Sequence, residues 1–324
     1  MNFIRQSFVS VFLILTCLSS ATHAQEYPAK PVKIVSPFAA GGPTDPPARW
    51  IAAKLGESIG QPFIVEFRGG ASSNLGTAFV AKSPRDGYTL LFTTNSFILS
   101  AVTAAQLPFD PIRDFAPLTP VSAQATVLVA GPAMPVISLR ELIERARKSP
   151  GKISFASSGT GGPLHLYGEL LKTNAKINLL HVPYKGAGPA ATDLLAGVVD
   201  IAFIGLSGSL PLIKSGKVTP IATVSMRRSP VLPQTPTMAE AGVRGFEEVN
   251  SRYQMLAPAE TPETILNKLH TAIVKVVHTP ETAERFSQFG LEPFTTSRAE
   301  YASYIETQIA LWVRIAKAAG VEPE

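Results

Sequence analysis

Val32-Lys33-Ile34-Val35-Ser36-Pro37-Phe38-Ala39-Ala40-Gly41-Gly42-Pro43-Thr44-Asp45 is a short apolar run that opens into a glycine turn and then into a helix start. Val32 to Ser36 reads as a strand. Asp45, followed by Pro46 and Pro47, reads as an N-cap with proline at the first helical positions. Such a turn can aim several backbone N–H groups at one point, which makes it a candidate anion cradle. Ser154-Phe155-Ala156-Ser157-Ser158-Gly159-Thr160-Gly161-Gly162-Pro163 repeats the design further along. One glycine turn says little, since Gly supplies positive φ in any loop. Two at helix starts, in separate lobes, would face each other across a cleft.

Outward from the first stretch, short apolar runs alternate with longer amphipathic ones, the pattern of α/β domains with mainly parallel strands. Asp45 to Ile59 reads as a helix, Phe63 to Phe67 as a strand, Asn74 to Lys82 as a helix and Tyr88 to Thr93 as a strand. Ligands bind such units at the carboxyl ends of their strands, where Phe38 to Asp45 and Arg68 to Ser73 both lie. Leu107 to Leu118, rich in proline and aspartate, reads as irregular connection. The strand Ala125 to Ala130 then opens a second lobe. Ser138 and Glu141 form a capping box before the helix Leu139 to Lys148. Strands at Ile153 to Ala156, Leu180 to Pro183, Ile201 to Ile204 and Val218 to Val224 follow, with helices at Leu164 to Thr173 and Ala190 to Ala196.

Arg227 to Phe246, with its prolines, reads as a linker that returns the chain to the first lobe. There Tyr253 to Ala257 is a strand and three helical stretches follow, the last, Arg298 to Ala319, clamped on the first lobe by an apolar face. The expected organisation is a signal peptide over 1–24, a discontinuous first lobe over 25–123 and 225–324, and a second lobe over 124–224. Two crossing segments make a hinge.

Hydrophobic residues at 45% with 16% charged describe a folded chain. The first 24 residues place Arg5 before an apolar run from Phe8 to Leu18 and end on Thr22-His23-Ala24, a secretory layout with cleavage after Ala24 and delivery to the periplasm. The single cysteine, Cys17, falls inside that segment, so processing leaves no disulfide and no thiolate. A formal charge of +5, one less without Arg5, has no basic stripe behind it and argues against nucleic acid. A mild positive field suits an anionic small molecule.

No G-x-S-x-G, H-E-x-x-H or Walker sequence occurs, and neither glycine turn matches G-x-G-x-x-G. No catalysis, metal or cofactor is therefore expected. His165, one turn inside the helix after the second glycine turn, can donate to a ligand or pack. Tyr184 and Lys185 end a strand at a lobe edge and can reach the cleft. Asp193 and Asp200 read as local hydrogen-bonding residues. Pro43, Pro46 and Pro47 have no N–H to give, and Asp45 as N-cap would occupy the amide of Ala48. The first turn should then bind through the amides of Ala39, Ala40, Gly41, Gly42 and Thr44. The second, with every amide from Ser157 to Gly162, including Ser158, Gly159, Thr160 and Gly161, should be the better seat for a carboxylate.

Tyr27-Pro28, Lys30-Pro31-Val32, Pro37-Phe38, Gly41-Gly42, Asp45 and Ala48-Arg49 resemble the opening of the Bug (TctC-type) solute receptors of tripartite tricarboxylate transporters. The likeness continues through Asp86-Gly87-Tyr88-Thr89-Leu90-Leu91, Ala156-Ser157-Ser158-Gly159, His165-Leu166, His181-Val182-Pro183-Tyr184-Lys185-Gly186 and Glu240-Ala241-Gly242. It implies a two-lobe periplasmic binding protein of the Venus flytrap, type 2-like form. Such a protein acts as a monomer that closes on a carboxylate-bearing solute and presents it to a membrane permease. Carried over by position, Phe38 to Gly42, Asp45, Ser157, Ser158, Gly159, Gly161, His165 and Tyr184 hold the ligand. Gly162 stands where the family commonly has serine, and Arg252 where it commonly has tryptophan. The solute can be an aliphatic diacid, an aromatic acid, an amino acid or a neutral amide. A hydrolase built on His165 and Ser158, and a ligand-sensing subunit of a signalling system, are the alternatives.

Overall fold

The computed structural model describes residues 27–184, 186–246, 251–318 and 320–321. The expected signal segment with its expected cleavage site, and Lys185, lie outside them. Two sheets organise the chain. The first contains β1 (Val32–Ser36), β2 (Phe63–Phe67), β3 (Thr89–Thr94), β4 (Phe115–Gln124), β10 (Ser251–Pro258) and β11 (Glu292–Pro293), in the order β11-β4-β10-β3-β1-β2. The second contains β5 (Thr126–Ala130), β6 (Ser154–Ser157), β7 (Leu180–Pro183), β8 (Ile201–Gly205) and β9 (Thr219–Val224), in the order β7-β6-β8-β5-β9. Each has three parallel strands, β2-β1-β3 and β7-β6-β8. In each, the strand that follows a crossing from the other sheet inserts antiparallel beside them, β10 in the first and β5 in the second.

Helix α1 (Asp45–Ile59) shows how sequence places these layers. Its buried residues Ala48, Ile51, Ala52 and Leu55 recur at helical spacing and lie in one core with Leu266, Leu269 and Ile273 of α8 (Glu263–Val277). The other helices are α2 (Asn74–Ala81), α3 (Ser96–Thr103), α4 (Leu139–Lys148), α5 (Pro163–Ala175), α6 (Ala187–Leu195), α7 (Leu206–Lys214), α9 (Pro280–Gln288) and α10 (Arg298–Ala318). Ser138 caps α4 by accepting from the Glu141 amide at 3.2 Å, while the Glu141 carboxylate reaches back to Ile137 N at 3.1 Å.

The structure departs from the sequence reading in several elements. Helices α3 and α7 stand where none was expected. Strand β4 begins at Phe115, inside the stretch read as irregular. Pro117 and Pro120 argue against a central strand, but β4 bulges beside each of them, with Leu118 and Val121 left over where the register shifts between Met255 and Leu256 and between Tyr253 and Gln254. Helix α10 is not clamped on one lobe alone. It packs on α3 and β4 but also on α5 of the second sheet, and Trp312 lies with its ring centroid 5.7 Å from that of Tyr167. One apolar cluster, containing Phe97, Phe155, Tyr167, Phe203, Phe246 and Trp312, therefore runs through both sheets.

Candidate functional site

The carboxyl ends of β1, β2 and β3 deliver three loops to one place: Pro37 to Thr44, Arg68 to Ser73, and Asn95 leading into α3. The end of β6 delivers Ser158 to Gly162 opposite them. A cavity of about 570 Å³ is lined by Ala71, Asn74, Ser96, Ser100 and Thr103 on one side and by Ser158 to Pro163 on the other. An adjoining cavity of about 730 Å³ is lined by Pro37 to Ala40, Gly69, Gly70 and Ser73, again with Gly162 and Pro163. Ser96, Gly162 and Pro163 line both, so the two form one cleft. No Asp, Glu, Lys, Arg or His is among the described residues that line it. Helices α2, α3 and α5 all start at its wall. Their N-terminal amides carry partial positive charge, which suits an anion.

Of the expected site residues, the structure brings Phe38, Ala39, Ala40, Ser158, Gly159, Thr160, Gly161 and Gly162 to the cleft wall. Gly41, Gly42, Thr44, Asp45, Ser157, His165 and Tyr184 line neither cavity. Asp45 is the first helical residue rather than the N-cap, because Thr44 already has helical dihedrals and the Ala48 amide donates to the Thr44 carbonyl at 3.1 Å. Its carboxylate turns back instead, accepting the Gly41 amide at 2.7 Å and pairing with Arg49. With Pro46 and Pro47 lacking N–H groups, those are the donors in reach. Gly41 is thus occupied internally. The amides of Ala39, Ala40, Gly42 and Thr44 donate to no acceptor among the described residues.

The second turn is also partly used up, contrary to the expectation that every amide from Ser157 to Gly162 is open. The Gly159 amide donates to Ser157 Oγ at 3.3 Å and the Gly161 amide to His165 Nδ1 at 3.1 Å. Ser158, Thr160 and Gly162 keep theirs, joined by the amides of Leu164 and His165 in the first turn of α5. Gly161 has φ 74, so this shape excludes a side chain there without strain.

His165 does not reach the cleft. Its ring is buried beneath the turn and stacked on His181, with centroids 3.8 Å apart. Because Nδ1 accepts from Gly161, the ring proton sits on Nε2, which faces Glu169 Oε1 at 3.6 Å. Burial pushes the Glu169 carboxyl up, but His165 and Lys172 outweigh it and hold the group below its usual value. The serine bonded to a histidine is Ser157, whose Oγ lies 2.7 Å from His181 Nε2. Ser157 is 1% exposed, so the pair braces the turn rather than meeting a substrate. Tyr184 donates its hydroxyl to Asp193 at 2.8 Å, away from the cleft, and Asp200 ties β6 to the start of β8 through Ser154.

Burial and then the neighbouring His165 pull His181 down from 6.5 to about 4. The unfolded chain binds a proton near 6.5 that the fold refuses until about 4, so this contribution is complete above pH 6.5 and is lost as pH falls toward 4. With solvent screening at a half-buried ring, the loss is on the order of 2 kcal/mol. The melting temperature should fall by about 5 °C more over that window in wild type than in His181→Asn. Parallel pH profiles for the two proteins would remove His181 as the cause.

Sequence reasoning missed the α3 wall. Its signal was present, since Ser96, Ser100 and Thr103 recur at one helical face within an otherwise apolar run. Asn74 was passed over too. The residue lines the cavity, and its buried side-chain Oδ1 has no hydrogen-bond partner among the described residues.

Two hinged sheets with loop amides converging on a shared cleft define a two-lobe solute-binding protein. The model of the tripartite tricarboxylate transporter family receptor, TctC, matches residues 48–321, and the chain belongs to that family. Among solved structures, it is similar to Rpa4515 of R. palustris with adipate, at 35% identity and TM-score 0.80 over 92% of this chain and 100% of that one. The periplasmic binding protein BugD matches at 35% identity and TM-score 0.76, with the same coverage. MatC (Rpa3494) of Rhodopseudomonas palustris with bound malate matches at 29% identity and TM-score 0.74, over 89% of this chain and 99% of that one. The family consists of solute-binding receptors rather than enzymes.

Proposed function

We propose that this protein is a periplasmic receptor that captures a small aliphatic dicarboxylate between two lobes and hands it to a tripartite tricarboxylate-type permease. The lobes are residues 25–123 with 225–324, and residues 124–224, and the chain acts as a monomer after export and cleavage following Ala24. The observation that carries the reading is the cleft wall: it has no charged side chain among the described residues, but it has unpaired loop amides and helix N-termini on both sides. One carboxylate sits on the amides of Ser158, Thr160 and Gly162 with the start of α5. The other meets Ala39 and Ala40, with Asn74 and Ser96 beside the chain between. The dicarboxylates in Rpa4515 and MatC support this choice over aromatic acids and amino acids.

Micromolar affinity corresponds to about −8.2 kcal/mol. A helix terminus contributes up to ~2 kcal/mol in a favourable buried geometry, so lobe closure and exclusion of water supply much of the rest. A thermal-shift screen over straight-chain dicarboxylates tests the proposal. At 100 times Kd a true ligand adds about 2.7 kcal/mol of stability, which raises the melting temperature by about 5 °C. A response to neutral diamides with none to any diacid would overturn it.

A further inference from the structure

A cavity of about 360 Å³ lies outside the cleft, where the chain crosses between the sheets. Residues 123–125 of the outgoing crossing and 225–227 of the return form two of its walls, and Arg252 and Phe294 form others. Arg252 is 8% exposed. Its guanidinium lies 3.6 Å from the ring centroid of Tyr304 and 4.6 Å from that of Phe294. Among the described residues its buried Nε has no hydrogen-bond partner and no carboxylate pairs with it. The other two charges in the wall, Arg227 and Glu292, cancel each other across 3.2 Å. Met226, 72% exposed, adds an apolar side chain at the rim.

A buried cation with no counter-charge among the described residues is costly, and aromatic faces offset only part of that cost. The fold keeps it beside an apolar cavity of the size that takes small molecules. We propose that this hinge pocket is a second anion site, which takes a small monocarboxylate with an apolar body. The carboxylate pairs with Arg252 and the body lies against Phe294 and Met226. This site is separate from the cleft and does not depend on what the cleft binds.

The probe is 4-fluorobenzoate, titrated into the purified protein and followed by fluorine NMR. Saturable binding is expected in wild type and in the cleft variant Gly161→Val. It should weaken at least tenfold in Arg252→Gln and in Met226→Trp, which fills the rim. Neutral 4-fluorobenzamide should not compete. Absence of saturable binding, unchanged affinity in Met226→Trp, or loss in Gly161→Val alone would each overturn the proposal. Met226 is exposed, so that variant decides the matter even if Arg252→Gln fails to fold.

Discussion

Gly76→Ala is expected to weaken dicarboxylate binding on the order of 100-fold, equivalent to about 2.7 kcal/mol, while leaving the protein folded. A Cβ at Gly76 would stand 2.6 Å from the Arg68 carbonyl oxygen and 2.8 Å from both Cα and Cβ of Pro37. These are backbone and ring atoms at the carboxyl ends of β2 and β1, and they cannot swing aside as a long side chain would. Helix α2 must back away, carrying Asn74 with it, or the Pro37 to Ala40 turn must move. In either case the first-lobe donors lose their alignment with Ser158 to Gly162. Gly188→Ala is the control. Nothing lies within 4 Å of a Cβ there, so binding should be unchanged and α6 should gain about 0.5–1 kcal/mol. Equal affinity in Gly76→Ala and wild type would show that the first-lobe turn takes no part in holding the ligand.

Trp312→Ala should be the most destabilising single change in the C-terminal helix, costing about 3–5 kcal/mol and lowering the melting temperature by about 10 °C. Trp312 is fully buried. Its neighbour Tyr167 also packs against Phe203, with ring centroids 5.8 Å apart, so the indole is where α10 grips the second sheet. Its Nε1 has no hydrogen-bond partner among the described residues. Trp312→Phe removes that N–H while keeping an aromatic ring, and should cost about 1 kcal/mol. The contrast is measured by denaturant unfolding, with small-angle scattering to follow the spread of the lobes. An alanine variant as stable as the phenylalanine one would mean that α10 is not a tie between the sheets.

Local grammar carried much of the architecture. The strand Val32 to Ser36, the amphipathic face of α1 and the Ser138 cap were all legible because each rests on contacts within one element or one turn. Elements whose local signals conflicted were not. Prolines hid β4, since their fit depends on bulges in its pairing with β10, a strand far away in sequence. Helix α3 was hidden by its own apolar content, which periodicity cannot separate from a buried strand in so short a run.

The sequence by itself determined the two glycine turns, their place after strands and the types of donor they offer. Only the tertiary structure decided which donors remain. Asp45 takes the Gly41 amide, and His165 takes that of Gly161. Both choices turn on angles and distances of a fraction of an ångström that no residue pattern encodes. The folded chain alone also set His165 on His181 beneath the second turn, brought the hydroxyl face of α3 to the cleft and left Arg252 without a described counter-charge. Each of these joins residues far apart in the chain, and pairings of that kind form only once packing has brought the segments together.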